Sequence, residues 1–341
     1  SATTTTSTTP SSSDAGPSRQ TLEQLAAYRE RGNVAFGRND YDAAERWYDK
    51  AIALDIGGSG SGDGTMHLDH AMVLTNLAAC ALNKKPSDPS TALLRLRPVL
   101  SALPKHVKAR LRAGRCCVLL GELNQAITHY EVALRAEKPE APKEGIQLRY
   151  TPPINPATGN PDKQLLLSHD GKTPLSELAQ QAVEGKANAT RLLSHSERTR
   201  TLAAAGRVDE ALYLARSVCR GVTHATLGIA LLVRTLEGAG RLWEAQQEAE
   251  EGIESFQDDE PLGVAYARVL SRRGKVVEAE AKLSQLIRAR PGEECRAQKA
   301  LRGLKAAVRC KGDGNVSYTK GEYERAAAQY TEGIEADVEG C

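Results

Sequence analysis

The sequence predicts an all-α fold made of repeated helix-turn-helix units, and two observations support this. Between residues 22 and 55, apolar or small residues recur three or four positions apart on both sides of a short polar turn, which is the spacing of one helix face. In two stretches further along the chain, a small residue early in the second helix recurs every 34 residues, at Ala92 and Ala126 and again at Ala211, Ala245 and Ala279. We therefore expect a stack of similar units, each contacting its neighbours, rather than one central core.

The first unit contains both helices of the pattern. Its apolar or small residues at helical spacing are Leu25, Tyr28, Gly32, Phe36, Tyr41, Ala44, Tyr48 and Ala51. Gly32 and Ala44 have little or no side chain, so we expect the two helices of the unit to approach closely at these positions.

The interval between units is regular within two stretches of the chain. The alanines that mark units two to seven are Ala92, Ala126, Ala211, Ala245, Ala279 and Ala326. The interval from Ala92 to Ala126 is the same as the two intervals that separate the alanines of units four to six. A glycine-rich segment at residues 57–64 lengthens the connection between the first two units and is predicted to be a flexible loop.

This pattern resembles the tetratricopeptide repeat, whose small and aromatic positions match Gly32, Tyr41, Ala44, Tyr48 and Ala51. That repeat has a period of about 34 residues, which matches the interval between the marker alanines. The resemblance implies a superhelix of the α-solenoid type. In such a stack the first helix of each unit lines the inner surface, so functional side chains are expected on first helices.

Composition divides the chain into five segments. Prolines between residues 138 and 173 rule out a continuous helix there, and residues 293–310 contain no helix breaker except Gly303. Unit seven has no successor, so we expect the sequence to be a fragment of a longer protein. The segments are a disordered tail (1–20), a first three-unit module (21–137), a proline-rich linker (138–173), a second three-unit module (174–292), and a long bridging helix with the start of a third module (293–341).

Composition also excludes several classes of function. The net charge of +2 is too small to indicate nucleic acid or an anionic membrane as a partner. No run approaches eighteen apolar residues and the first twenty residues resemble no secretory signal, so we expect a cytoplasmic protein, with the nucleus as the alternative. The seven cysteines include no Cys-x-x-Cys pair and are interpreted as reduced thiols.

Five polar side chains stand out on the predicted first helices of units one to three. They are Arg29, Asn33, Asn76, Lys108 and Arg112. Residues four apart share a helix face, so Arg29 lies beside Asn33, and Lys108 beside Arg112. We expect the side chains of Lys108 and Arg112 to be exposed.

Across residues 22–137, this set resembles the two-carboxylate clamp of co-chaperones that bind the C-terminal tails of heat-shock proteins 70 and 90. The family pattern is Lys, Asn, Asn, Lys, Arg, and only Arg29 departs from it, keeping the charge. The resemblance implies binding of tails of the Glu-Glu-Val-Asp type, and through this, folding or transfer of client proteins. Cations and amide donors suit a terminal aspartate, which presents two carboxylates about one residue apart.

A narrower resemblance involves the end of the chain. Two repeat modules followed by a long helix are similar to co-chaperones of the DnaJ homologue, subfamily C, member seven type. Lys311 and Asn315 then match the first two positions of a second, incomplete clamp. No His-Pro-Asp tripeptide occurs in the sequence, so the ATPase-stimulating element of a J domain is absent from it.

Other readings have less support. No enzyme and no cofactor are expected, because Cys116 and Cys117 lie in an apolar run typical of a packed core. His67 and His70 could share a helix face, but no third metal ligand is near. A nucleic-acid site would need interleaved aromatic residues, which are absent among the basic residues near the end of the chain. These basic residues are Arg288, Arg290, Arg296, Lys299, Arg302, Lys305 and Arg309.

The main alternative is a repeat scaffold that binds another protein and no chaperone tail. The expected first helices of units four to six, at residues 192–205, 226–239 and 261–273, carry little of the Asn and Lys pattern of the clamp.

Overall fold

The structure, a computed structural model, describes residues 19–54, 68–137, 176–257, 259–289 and 295–339. Most of the predicted tail, the glycine-rich loop and the proline-rich linker lie outside these ranges. Within them every regular element is a helix, and none is both long and apolar enough to cross a membrane. The helices are α1 (Arg19–Gly37), α2 (Tyr41–Ile52), α3 (Leu68–Asn83), α4 (Pro89–Ala102), α5 (Val107–Leu119), α6 (Leu123–Glu137), α7 (Glu177–Ala204), α8 (Val208–Gly221), α9 (Leu227–Gly238), α10 (Leu242–Ser255), α11 (Glu260–Arg272), α12 (Val276–Ala289), α13 (Arg296–Thr319) and α14 (Tyr323–Glu339).

These helices form the seven consecutive pairs that the sequence period predicts. The marker alanines explain the close packing, because a methyl group lets neighbouring helix backbones approach. All of them are almost fully buried. They are Ala44, Ala92, Ala126, Ala211, Ala245, Ala279 and Ala326.

In six of the seven units, the turn between the two helices contains a residue with positive φ at a fixed position. Five units place glycine there, from Gly121 (φ 75°) in unit three to Gly321 (φ 78°) in unit seven. Unit one uses Asn39 (φ 61°), a residue type that tolerates the left-handed conformation better than most. This requirement explains why, in those five units, a glycine stands at a fixed distance before the marker alanine.

Second helices begin at a polar cap in the first two units. The Oδ1 atom of Asp40 accepts a hydrogen bond from the amide of Ala43 at 2.9 Å, and Asp88 does the same for Thr91 at 2.9 Å. Each carboxylate satisfies an amide that has no partner within its helix, so each fixes where that helix starts.

The chain divides into two compact units, residues 1–189 and 190–341, and the division falls within α7. This helix begins at Glu177, well before the first helix expected for unit four. Its first part belongs to the first compact unit, where Gly185 faces the ring of Tyr130 and Lys186 forms an ion pair with Glu131 at 2.8 Å. The longer helix covers the apolar face that the third repeat would otherwise expose.

Two other boundaries differ from the sequence-based expectation. Helix α1 begins at Arg19, two residues before the expected start of the first module. Helix α13 continues without a break from Arg296 through Thr319, so the predicted bridging helix is also the first helix of unit seven. Its early residues Ala297, Ala300 and Leu304 join the core built by α11 and α12.

Candidate functional site

The five predicted clamp residues lie on three first helices, α1, α3 and α5. Helix α3 packs against both α1 and α5, so the three helices form a continuous surface in the first compact unit. The site is therefore assembled from residues that are far apart in the sequence, from Arg29 to Arg112.

A chain of hydrogen bonds joins three of the five residues. Asn76 Nδ2 donates to Asn33 Oδ1 at 3.2 Å, and Arg112 Nη1 donates to Asn76 Oδ1 at 3.4 Å. The hydroxyl of Tyr48, on α2, also donates to Asn33 Oδ1, at 2.9 Å. Both amide oxygens are thus occupied by donors of the protein.

The amide nitrogens retain donor capacity. An amide NH2 group has two donors. Asn76 uses one of them toward Asn33, and Asn33 uses one toward Glu30 Oε2 at 3.3 Å. One N–H of each side chain is left for a ligand, so the pair is suited to an acceptor such as a carboxylate.

Arg29 has a partner that the sequence analysis missed. Its Nη1 atom lies 2.6 Å from Oδ1 of Asp69, on α3, and both side chains are half-buried. Asp69 precedes Asn76 by two helical turns, so the shared face could have been recognised from the sequence. A carboxylate ligand must compete with Asp69 for Arg29.

The two cations of α5 differ in exposure. Lys108 is exposed and forms no ion pair within the described ranges. Arg112 is half-buried and not exposed as expected, because its guanidinium donates to the carbonyl of Thr75 as well as to Asn76. Burial also lowers the pKa of Arg112. Part of the cost of desolvating this cation is therefore already met in the folded protein.

His106 begins α5 next to Lys108. Its Nδ1 atom accepts a hydrogen bond from the amide of Ala109 at 3.1 Å, which requires a neutral ring. Burial first, then Arg112 and Lys108, lower the pKa of His106. The cap is thus sensitive to acid.

The incomplete second set has part of the same geometry. Lys311 and Asn315 lie on α13, both exposed, and the hydroxyl of Tyr330 donates to Asn315 Oδ1 at 2.8 Å. A Cβ atom added at Gly314 would approach the Tyr330 ring to 2.5 Å, just as one at Gly32 would approach Tyr48 to 2.4 Å. Units one and seven therefore share a Gly-Asn pair beneath a tyrosine.

Cys and His side chains are the remaining candidates for catalysis or metal binding. Cys116 and Cys117 are buried free thiols, and burial raises the pKa of each to about 12, so neither is a ready nucleophile. His129 contacts Arg110 at 3.1 Å rather than a carboxylate. His67 lies outside the described residues, among which no group of three or more His, Cys, Asp or Glu side chains could hold a metal ion.

Comparison with known proteins agrees with this fold. The tetratricopeptide repeat profile matches residues 18–59 and 87–142. The TPR domain of P58(IPK), a solved structure, is similar with a TM-score of 0.54 and 11% identity, covering 92% of this chain and 73% of that one. The chain thus contains tetratricopeptide repeats and has the all-α solenoid fold they build.

Curated relatives match over a shorter length. Protein PHOX3 of Arabidopsis thaliana is 30% identical over 99 residues, which are 29% of this chain and 11% of that protein. HSP-interacting protein of Zea mays is 28% identical over 116 residues, which are 34% of this chain and 15% of that protein. The chain matches less than a sixth of the length of either relative.

Proposed function

We propose that this chain is an adaptor whose first compact unit binds the acidic C-terminal tail of a heat-shock protein 70 or 90 chaperone. The observation that carries the proposal is the hydrogen-bonded series Asn33–Asn76–Arg112, with Arg29 at one end and exposed Lys108 at the other. The similarity of the chain to HSP-interacting protein of Zea mays, which is named for interaction with heat-shock proteins, also supports the proposal. Assistance to client folding or transfer follows from holding the chaperone.

The chemistry of the groove suits a peptide that ends in aspartate. Lys108 and Arg112 supply charge-assisted hydrogen bonds, and the free N–H groups of Asn33 and Asn76 donate without adding repulsion between cations. Because two carboxylates meet several donors at once, affinity near 1 μM, about 8 kcal/mol, is reasonable for this class of site. Part of that affinity depends on exposed charge and weakens as salt is raised.

The narrower proposal is that the chain comes from a co-chaperone of the DnaJ homologue, subfamily C, member seven type. It is supported by the unbroken helix α13, which leads from the second group of repeats into a second Lys-Asn pair. Lys311 and Asn315 would then begin another clamp.

The alternative function is a repeat scaffold that binds a different protein and no chaperone tail. The ion pair between Arg29 and Asp69 favours it, since an internal carboxylate already occupies part of the site. The two functions differ in whether a free terminal carboxylate is required.

A fluorescence-anisotropy titration separates them. The full chain is titrated against a labelled peptide ending in Glu-Glu-Val-Asp, and against the same peptide with an amidated C-terminus. We expect the free acid to bind and the amide to bind at least tenfold more weakly. Lys108→Ala should abolish the difference, whereas Lys50→Ala, which changes a cation on α2 that lies over the Trp47 ring, should not. Equal binding of the two peptides, or binding of neither, would contradict tail binding and favour the alternative function, a repeat scaffold for a different protein.

A further inference from the structure

The second compact unit has an arginine at the same position in three successive repeats. Arg200 lies on α7, Arg234 on α9 and Arg268 on α11, and each stands at the same distance before the marker alanine of its unit. The three arginines therefore follow the period of the repeat itself. We refer to these three residues as the arginine row.

Two of the helices that carry the row pack side by side. Helix α11 contacts α9, and Arg268 Nη2 reaches across to Glu237 Oε1 of α9 at 3.2 Å. Arg200 holds the equivalent position in the preceding repeat, so we expect the three cations to share one surface. In agreement, desolvation and then Arg268 lower the pKa of Arg234, Glu237 raises it, and Arg200 lowers it by a smaller amount.

This surface carries more positive than negative charge. The carboxylate of Glu237 is 2% exposed and is shared by Arg268 and Arg272, each 3.2 Å away. Arg200 and Arg234 are exposed and have no ion pair with any described residue, and Glu197, three residues before Arg200, does not pair with it. Cations held together in this way repel one another, so an anionic partner that covers them is stabilised.

Helix geometry defines the partner further. Packed helices lie about 8–10 Å apart. A peptide in the polyproline II conformation has three residues per turn and rises about 3.1 Å per residue, so every third side chain lies on the same side, about 9 Å from the one before. Every third residue of such a segment therefore meets the next arginine of the row. A guanidinium binds a carboxylate through two parallel hydrogen bonds, which makes acidic side chains at this interval the matching ligand.

We propose that the arginine row binds an acidic segment of a partner protein in the extended polyproline II conformation, with Asp or Glu at every third residue. The proposal goes beyond tail binding, because it concerns a different unit of the chain and internal carboxylates rather than a chain terminus. Single-stranded nucleic acid fits less well, since it needs stacking rings. The only Phe, Tyr or Trp on α7, α9 and α11 is Tyr266, whose hydroxyl donates to Glu250 of α10 at 2.9 Å.

The test uses the full chain and labelled nine-residue peptides that are acetylated and amidated, so that no terminal carboxylate can reach the clamp. One peptide has Glu at positions 2, 5 and 8, and another has the same composition with the three Glu residues consecutive. We expect the spaced peptide to bind at least fivefold more tightly in low salt. Equal affinities, or no binding of the spaced peptide, would overturn the proposal.

Variants locate the site. Arg200→Gln and Arg234→Gln should each weaken binding of the spaced peptide at least fivefold, whereas Arg220→Gln, an exposed arginine on α8, should leave it unchanged. Arg200 forms no ion pair within the described ranges, so its replacement should not affect folding, and circular dichroism checks this. An equal loss in Arg220→Gln, or tighter binding of a uridine oligonucleotide than of the peptide, would contradict an acidic-peptide site.

Discussion

The hydroxyl of Tyr48 donates to the amide oxygen of Asn33 at 2.9 Å, while the ring of the same tyrosine packs over Gly32. Tyr48 is only 1% exposed, so the orientation of an exposed groove residue depends on a core residue. The same relationship recurs between Tyr330 and Asn315 at 2.8 Å. Packing within a repeat and positioning of its polar face are therefore coupled through one side chain.

Replacing Tyr48 by Phe should separate these two roles. The ring still fills the space over Gly32, but Asn33 loses a hydrogen bond worth about 1 kcal/mol. We expect a decrease in melting temperature of a few degrees and, because Asn33 is no longer held in place for the ligand, a decrease in tail affinity of up to about fivefold, the equivalent of that energy. Tyr41→Phe is the control, because its hydroxyl bonds to Asn39 in the turn. Equal losses in the two variants would show that Tyr48 has no positioning role.

Gly32→Leu should have the opposite effect. A Cβ atom there lies 2.4 Å from the Tyr48 ring, so the helices of unit one must separate, at a cost of roughly 1–3 kcal/mol for overpacking. Thermal unfolding followed by circular dichroism measures the loss. Gly37→Ala on the same helix meets nothing within 4 Å and should be neutral or slightly stabilising. A tolerated Gly32→Leu would mean that this close contact is not essential.

Asp69→Asn should strengthen binding of the tail. The change removes a carboxylate that competes with the ligand for Arg29, 2.6 Å away, and we expect a gain of about fivefold, roughly 1 kcal/mol. Anisotropy titration in low salt measures the gain in affinity, with Glu23→Gln as the control, because the Glu23 side chain is an exposed carboxylate on α1. A weaker complex would indicate that Asp69 positions Arg29 for the ligand instead of competing with it.

Stability should fall in mild acid partly because of His106. Its pKa in the folded state is lowered, so the unfolded chain binds the proton more readily. The contribution of the neutral ring is complete above the unfolded value of about 6.5 and is lost as the pH falls below it. His106→Asn keeps an N-cap oxygen that does not titrate over this range.

Denaturant unfolding at pH 7.5 and 5.5 tests this. The free energy of unfolding should decrease less for His106→Asn than for the wild type, while His129 and His195, whose pKa values are also lowered by burial, titrate in both proteins. Identical decreases would exclude His106 as the source.

Much of the fold could be predicted from the sequence because each repeat contains the residues that its turn and its close helix packing require. A glycine with positive φ, such as Gly206 or Gly240, is required at a fixed distance from a buried alanine, and both are visible in the sequence. The length of α7 could not be predicted from the repeat pattern. Its first part follows no repeat pattern and is helical because it covers the third unit through Gly185 and Lys186.

The candidate groove could be predicted only in part. Residue type and helical spacing placed Asn33, Asn76 and Lys108 on first helices, but hydrogen bonds to a neighbouring helix decide that Arg112 is half-buried. The clamp pattern, which consists of Asn, Lys and a single Arg, does not indicate the arginine row. Its signal, one arginine at the same place in each of three successive repeats, was present in the sequence.

A double-mutant cycle between Lys108 and the peptide terminus tests the central claim most directly. Four affinities are measured for the full chain: wild type and Lys108→Ala, each with the free-acid and the amidated Glu-Glu-Val-Asp peptide. If Lys108 contacts the terminal carboxylate, the losses from the two changes should not add, and the coupling energy should be at least about 1 kcal/mol. Additive losses, or tail binding that is indifferent to both changes, would contradict a carboxylate clamp in this groove.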